Sequence, residues 1–147
     1  MSKLVDLYPY IRDNGTIKLL VLKRAADVIY AEQWRMVGGK VNKGESHVEA
    51  ARRELKEETG LKPERFWTVP SLNQFYDHHS DAIRQIPAFA AEVDPNKEIE
   101  LNHEHVDYIW ISEVEIESYI SWPEQARLMK LIATIITNNE IIDEWLI

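Results

Sequence analysis

The sequence predicts an α/β (α+β) domain, a mixed β-sheet sandwiched between helices, and three observations point to it. Residues 4–11 and 17–22 are rich in β-formers and flank Asp13-Asn14-Gly15-Thr16, whose Asn-Gly pair signals a tight hairpin. Ser46 followed three residues later by Glu49 is a capping box that starts a helix near His47, and Gly60 supplies the stop. Trp122-Pro123 opens a second long helix, in which Ala126, Met129, Leu131, Ile132, Ile135 and Ile136 form a broad apolar side that packs on the sheet.

The first two strands are expected as antiparallel neighbours, closed by Lys23 and Arg24, which either contact phosphate or form a solvated strand end. Residues 34–37 form a short apolar segment running into Gly38-Gly39, with Trp34 read as packing rather than as a stacking platform. Gly38-Gly39 and Lys43-Gly44 read as a loop that turns sharply before the helix. On that helix Val48, Ala51 and Leu55 make the apolar stripe, and Ala50 lies near the middle of the acidic face. Pro63 marks a break, residues 66–72 read as a strand despite Pro70, and residues 84–93 as another, with a turn at Asp94-Pro95-Asn96. Between these two strands, residues 73–84 are the least regular and become the candidate loop for substrate choice. His78-His79 is a poor zinc site, since neighbours in an extended chain point to opposite faces. Val106, Tyr108 and Trp110 share one face of a further strand, fed by a loop holding His103, Glu104 and His105, the histidines being read as solvated. Ser112 and Glu115 form a second capping box, opening a short helix to about Ile120.

At 147 residues the chain fits one domain, residues 1–147, of ordinary globular composition, 45% hydrophobic and 29% charged. A formal charge of −8 argues against generic nucleic-acid binding, so a polyanionic substrate has to be received locally, by metal ions and a few basic residues. The absence of cysteine excludes disulfides, thiolate metal sites and a Cys nucleophile. Residues 1–15 do not read as a signal peptide, and the apolar run 128–137 is short and broken by Lys130. A soluble cytoplasmic protein without a membrane partner is expected, monomer or homodimer, with no heptad to demand association.

The chemistry concentrates in residues 39–61. Glu54, Glu57 and Glu58 sit at i, i+3 and i+4, which stacks three carboxylates on one helical face. Like charges so placed repel, and the arrangement asks for a cation. Carboxylate oxygens select hard divalent ions, Mg²⁺ first and Mn²⁺ as the alternative.

Gly39, Glu45, Arg53-Glu54-Leu55, Glu57-Glu58 and Gly60-Leu61 fill every fixed position of a known motif, and the segment resembles the Nudix box. The resemblance implies a Nudix fold and Mg²⁺-dependent hydrolysis of a phosphoanhydride by direct attack of water. It implies Glu54, Glu57 and Glu58 as metal ligands and catalytic carboxylates, with the Gly38 carbonyl a further ligand and Glu45 and Arg53 as supports of loop and helix. The segment Glu104-His105…Tyr108…Trp110 is similar to the stretch after the box in several Nudix hydrolases, which makes Glu104 the additional catalytic carboxylate. Arg24, Arg35, Lys40, Tyr76 and Arg84 are the substrate-binding candidates. Length and the 104–110 segment look like the nucleoside triphosphate pyrophosphohydrolases acting on dATP or dihydroneopterin triphosphate. Diadenosine tetraphosphate hydrolysis, another nucleoside-diphosphate-linked substrate, or a non-catalytic binding module are the alternatives.

Overall fold

The computed structural model describes residues 3–147. Strands β1 (Leu4–Asp13) and β2 (Thr16–Arg24) form the expected hairpin, and Asn14 and Gly15 take the positive φ angles, 49° and 80°, that its two-residue turn requires. Only the ends next to the turn pair with each other, from Tyr10↔Leu19 to Asp13↔Thr16. Beyond them the strands part. The first half of β1 is gripped by β4 (Val37–Lys40) and, in parallel, by β6 (Ala82–Glu92), while the second half of β2 pairs with β3 (Trp34–Arg35) and β7 (His105–Ile111). The 7-stranded mixed sheet is completed by β5 (Arg65–Asp77), antiparallel to β6.

Alternation along β2 shows how the two faces are covered. Leu20 and Leu22 join the core under helix α1 (His47–Thr59), with Ala50, Ala51 and Leu55, whereas Leu19 and Val21 join the core under helix α3 (Pro123–Thr137), with Leu128, Met129 and Ile132. A helix on each face follows, as the sequence predicts. The second capping box leads through a 3-10 turn, Glu113–Glu115, into the short helix α2 (Ile116–Tyr119). No helix among the described residues is long and apolar enough to cross a membrane.

Four expectations are corrected. Residues 73–84 are not an irregular loop: β5 and β6 stay paired out to Asp77↔Ala82, and the connection shrinks to a turn at residues 78–81. Pro70 is absorbed by a register shift between Thr68 and Leu72, so the strand resumes after it. In that turn the backbone is not extended, and the rings of His78 and His79 lie 4.0 Å apart instead of on opposite faces. Gly38 and Gly39 lie in strand β4 rather than in a turn, and of the loop glycines only Gly44 has a positive φ. Ala50 is fully buried, so the middle of the acidic face of α1 is packed instead of presented to solvent.

Candidate active site

Helix α1 is fixed at both ends by local chemistry. The Ser46 hydroxyl accepts from the Glu49 N–H at 3.1 Å, and Gly60, at φ 76°, returns its N–H to the Lys56 carbonyl. The helix lies against β4 so closely that a Cβ built on Gly39 would stand 2.3 Å from Glu54 Oε1, while one on Gly38 would stand 2.8 Å from the Val5 carbonyl of the paired strand β1. At Gly38 the backbone of β1 requires glycine, and at Gly39 a side chain would displace the Glu54 carboxylate. The Gly38 N–H donates to Glu58 Oε2 at 3.1 Å, tying strand to carboxylate.

Arg53 organises the exposed side of the cluster. Its Nε and one terminal nitrogen fork onto Glu45 at 2.7 and 2.9 Å, and the same terminal nitrogen holds the Lys40 carbonyl at 2.8 Å. The other terminal nitrogen donates to Glu54 at 2.8 Å and Glu57 at 3.1 Å. The Arg53 guanidinium and the Asn42 N–H pull Glu45 down to about 2, and its partners raise Arg53 further above its already high value. Glu58 is the deep member. Burial, the Glu54 charge and Glu104 push its carboxyl well above the usual range, against the lowering pull of the Gly38 N–H. Glu54 is also raised, by burial first, then by Glu57 and Glu104, although Arg53 opposes this.

Glu104 reaches the cluster from the loop before β7. Its N–H is held by Asn102, its carbonyl accepts from Ala25 at 2.8 Å, and its carboxylate faces Arg24 at 3.4 Å. Arg24 also donates from Nε to the Ile29 carbonyl, so one side chain joins the β2–β3 connection to Glu104. His105 is not solvated: it is 4% exposed, with Nε2 3.6 Å from Glu58 Oε1. Among the described residues, Glu58, Glu104 and His105 are the group whose ligand atoms all lie within 4.8 Å of one another. Crowded carboxyls raised by burial first and then by one another's charge fit a divalent cation. His78 and His79 belong to no such group among the described residues.

A second polar cluster lies behind Gly38 and was missed in the sequence. Asp6, paired with Gly38 across β1 and β4, is 4% exposed and accepts from Asn73 Nδ2 at 2.9 Å and the Tyr8 hydroxyl at 3.3 Å. Its one signal was a charge between the apolar Val5 and Leu7. Arg35 supplies a nearby positive charge to this carboxyl and stacks over Tyr30, 4.2 Å from the ring centroid, itself edge-on to Trp122. Of the other candidates, the Tyr76 hydroxyl donates to Asp81 in the β5–β6 turn, and Arg84 lines a cleft with Lys3, His47 and Gln85. Trp34 packs edge-on to Tyr119.

Burial raises Asp6 to about 6, with Asn73, Arg35 and Tyr8 opposing it. Because the folded value lies above the ordinary 3.8, the native state binds the extra proton, and stability falls as pH rises through that window. The loss expected between pH 4 and 6 is on the order of 2–3 kcal/mol. Urea unfolding of Asp6→Asn across this range should show a flatter profile than wild type, and an unchanged slope would remove Asp6 as its source.

Comparison with known proteins adds the following. The family model of the NUDIX domain matches residues 5–132. The nucleoside triphosphatase NudI of Klebsiella pneumoniae is 32% identical over 119 residues, covering 76% of this chain and 83% of that protein, and its Escherichia coli counterpart is 30% identical over the same length. Among solved structures, a C. elegans Ap4A hydrolase binary complex has a TM-score of 0.78 at 20% identity, over 94% of this chain and 99% of that one. The NUDIX domain of Shewanella oneidensis NrtR, complexed with ADP ribose, has a TM-score of 0.75 at 15% identity, over 92% and 88%. Both share this fold.

Proposed function

This chain belongs to the NUDIX domain family as one of its pyrophosphohydrolases, and on that premise we propose that it hydrolyses a nucleoside or pterin triphosphate, of the dATP or dihydroneopterin triphosphate class, to monophosphate and pyrophosphate. The observation that carries the reading is the carboxylate cluster on α1, with Glu54 against Gly39, Glu58 on the Gly38 N–H, and Glu54 and Glu57 braced by Arg53. The resemblance to nucleoside triphosphatases supports the choice of a triphosphate.

Glu54, Glu57, Glu58 and the Gly38 carbonyl would hold the divalent cation, Mg²⁺ or else Mn²⁺. Such an ion, when bound, neutralises phosphate oxygens and lowers the pKa of water. Arg53, clamped by Glu45, keeps Glu54 and Glu57 in place, so the carboxylates are positioned before substrate arrives. Glu104, steadied by Arg24, orients the attacking water and takes its proton as the new P–O bond forms and the bridging P–O bond breaks. Arg24, Arg35 and Lys40 receive phosphate, and Tyr76 and Arg84, out on the β5–β6 hairpin, serve the remainder of the substrate. Water is the nucleophile in a chain without cysteine.

Product analysis with Mg²⁺ over dATP, dihydroneopterin triphosphate, diadenosine tetraphosphate and ADP-ribose tests the proposal. Pyrophosphate release from a triphosphate is expected. Turnover confined to the last two substrates would move the enzyme to another substrate class, and no turnover of any would favour a non-catalytic binding module.

A further inference from the structure

We propose that His105 is a nitrogen ligand of the divalent cation in this cluster, so that the site favours ions such as Mn²⁺ and Co²⁺ beyond what an all-oxygen donor set would. The inference rests on the reading of the cluster as a cation site.

His105 opens β7 directly after Glu104, and its side chain is 1% exposed beside that of Glu58, 2% exposed. The 3.6 Å between Nε2 and Glu58 Oε1 is too long for a hydrogen bond. It is, however, a separation that two donors each about 2.0–2.2 Å from a common ion adopt. Glu104 brings a third ligand atom within 4.8 Å of both. The second ring nitrogen, Nδ1, is buried without a hydrogen-bond partner. A cation on Nε2 would leave Nδ1 as it is, so the pointer to the ion is Nε2 itself, set beside the Glu58 carboxylate at a ligand-to-ligand distance.

An imidazole donor shifts preference from Mg²⁺ toward later divalent ions, because nitrogen binds these more strongly than it binds Mg²⁺.

Mn²⁺ alone, added to the full chain labelled with ¹⁵N-histidine, is the probe. Pulsed electron paramagnetic resonance of the complex should show coupling to a histidine nitrogen that changes with the isotope. His103→Gln, at the exposed neighbouring histidine, should keep that coupling, and His105→Gln should abolish it. His105→Gln should also weaken Mn²⁺ by about tenfold in a calorimetric titration, with a smaller effect on Mg²⁺. If that variant fails to fold, the labelled wild-type and His103→Gln spectra still decide. Mn²⁺ bound without histidine coupling, or coupling that survives in His105→Gln, overturns the proposal and leaves the cation site standing. Absence of Mn²⁺ binding overturns the cation reading and this inference with it.

Discussion

Glu57→Gln is expected to lower kcat by about 10²–10⁴-fold, the range for loss of a carboxylate that acts on the reacting water or its ion. The protein should meanwhile remain folded. The Glu57 side chain is 53% exposed and meets Arg53 through a single hydrogen bond at 3.1 Å. Arg53 keeps Glu45, Glu54 and the Lys40 carbonyl when Glu57 changes, so the frame around the helix survives. Glutamine preserves shape and removes the charge. A thermal midpoint near wild type with a collapsed kcat assigns Glu57 to the chemistry, whereas a wild-type kcat would remove it from the ligand set.

Arg53→Lys should do the opposite, damaging the frame first and the chemistry as a consequence. Arg53 makes five hydrogen bonds from three nitrogens, to Glu45 twice, to Glu54, to Glu57 and to the Lys40 carbonyl. An ammonium has three donors on one atom and cannot reproduce the planar fork. Isolated surface ion pairs contribute little, but this side chain is only a quarter exposed and its geometry is bidentate. A fall in Tm of about 4–8 °C at pH 7 is expected. The acid limb should change as well. Glu45, held at about 2 by Arg53, contributes stability that is present above its ordinary 4.5 and is lost as pH falls through about 2. Lysine should shrink that contribution, so wild type and variant should converge toward low pH in denaturant melts. Equal Tm values would mean that the fork is dispensable.

The two predictions separate roles that the sequence places side by side. Arg53, Glu54, Glu57 and Glu58 are nearly contiguous, and their spacing alone puts them on neighbouring turns of a helix. Contacts from elsewhere decide what each one meets. Glu58 turns inward to the Gly38 N–H and His105, while Glu57 stays at the surface with Arg53.

Much of the fold was legible because its signals are local. The Asn14-Gly15 turn, the Ser46 and Gly60 caps of α1, the Ser112–Glu115 box and Pro123 at the start of α3 depend on residues within about four positions of one another, and each is where the sequence puts it. The carboxylate stack is local too, and the box that contains it identified the family.

What tertiary structure alone decided involves partners far apart in the chain. Residues 73–77 carry a mixed pattern that a loop would satisfy, and pairing with β6 makes them strand. Gly38 and Gly39 looked like turn residues, but Gly38 makes room for the neighbouring backbone of β1 and Gly39 for the Glu54 carboxylate of α1. Asp6 meets Asn73 across 67 positions, and His105 meets Glu58 across the helix–sheet junction, contacts that no periodicity encodes. The sequence thus determined the helix that bears the carboxylates and the reaction class it serves. Packing of that helix on β4 and β1, with His105 arriving at the start of β7, determined which carboxyls are buried and raised and which histidine stands beside them, because desolvation and charge proximity exist only once distant segments meet.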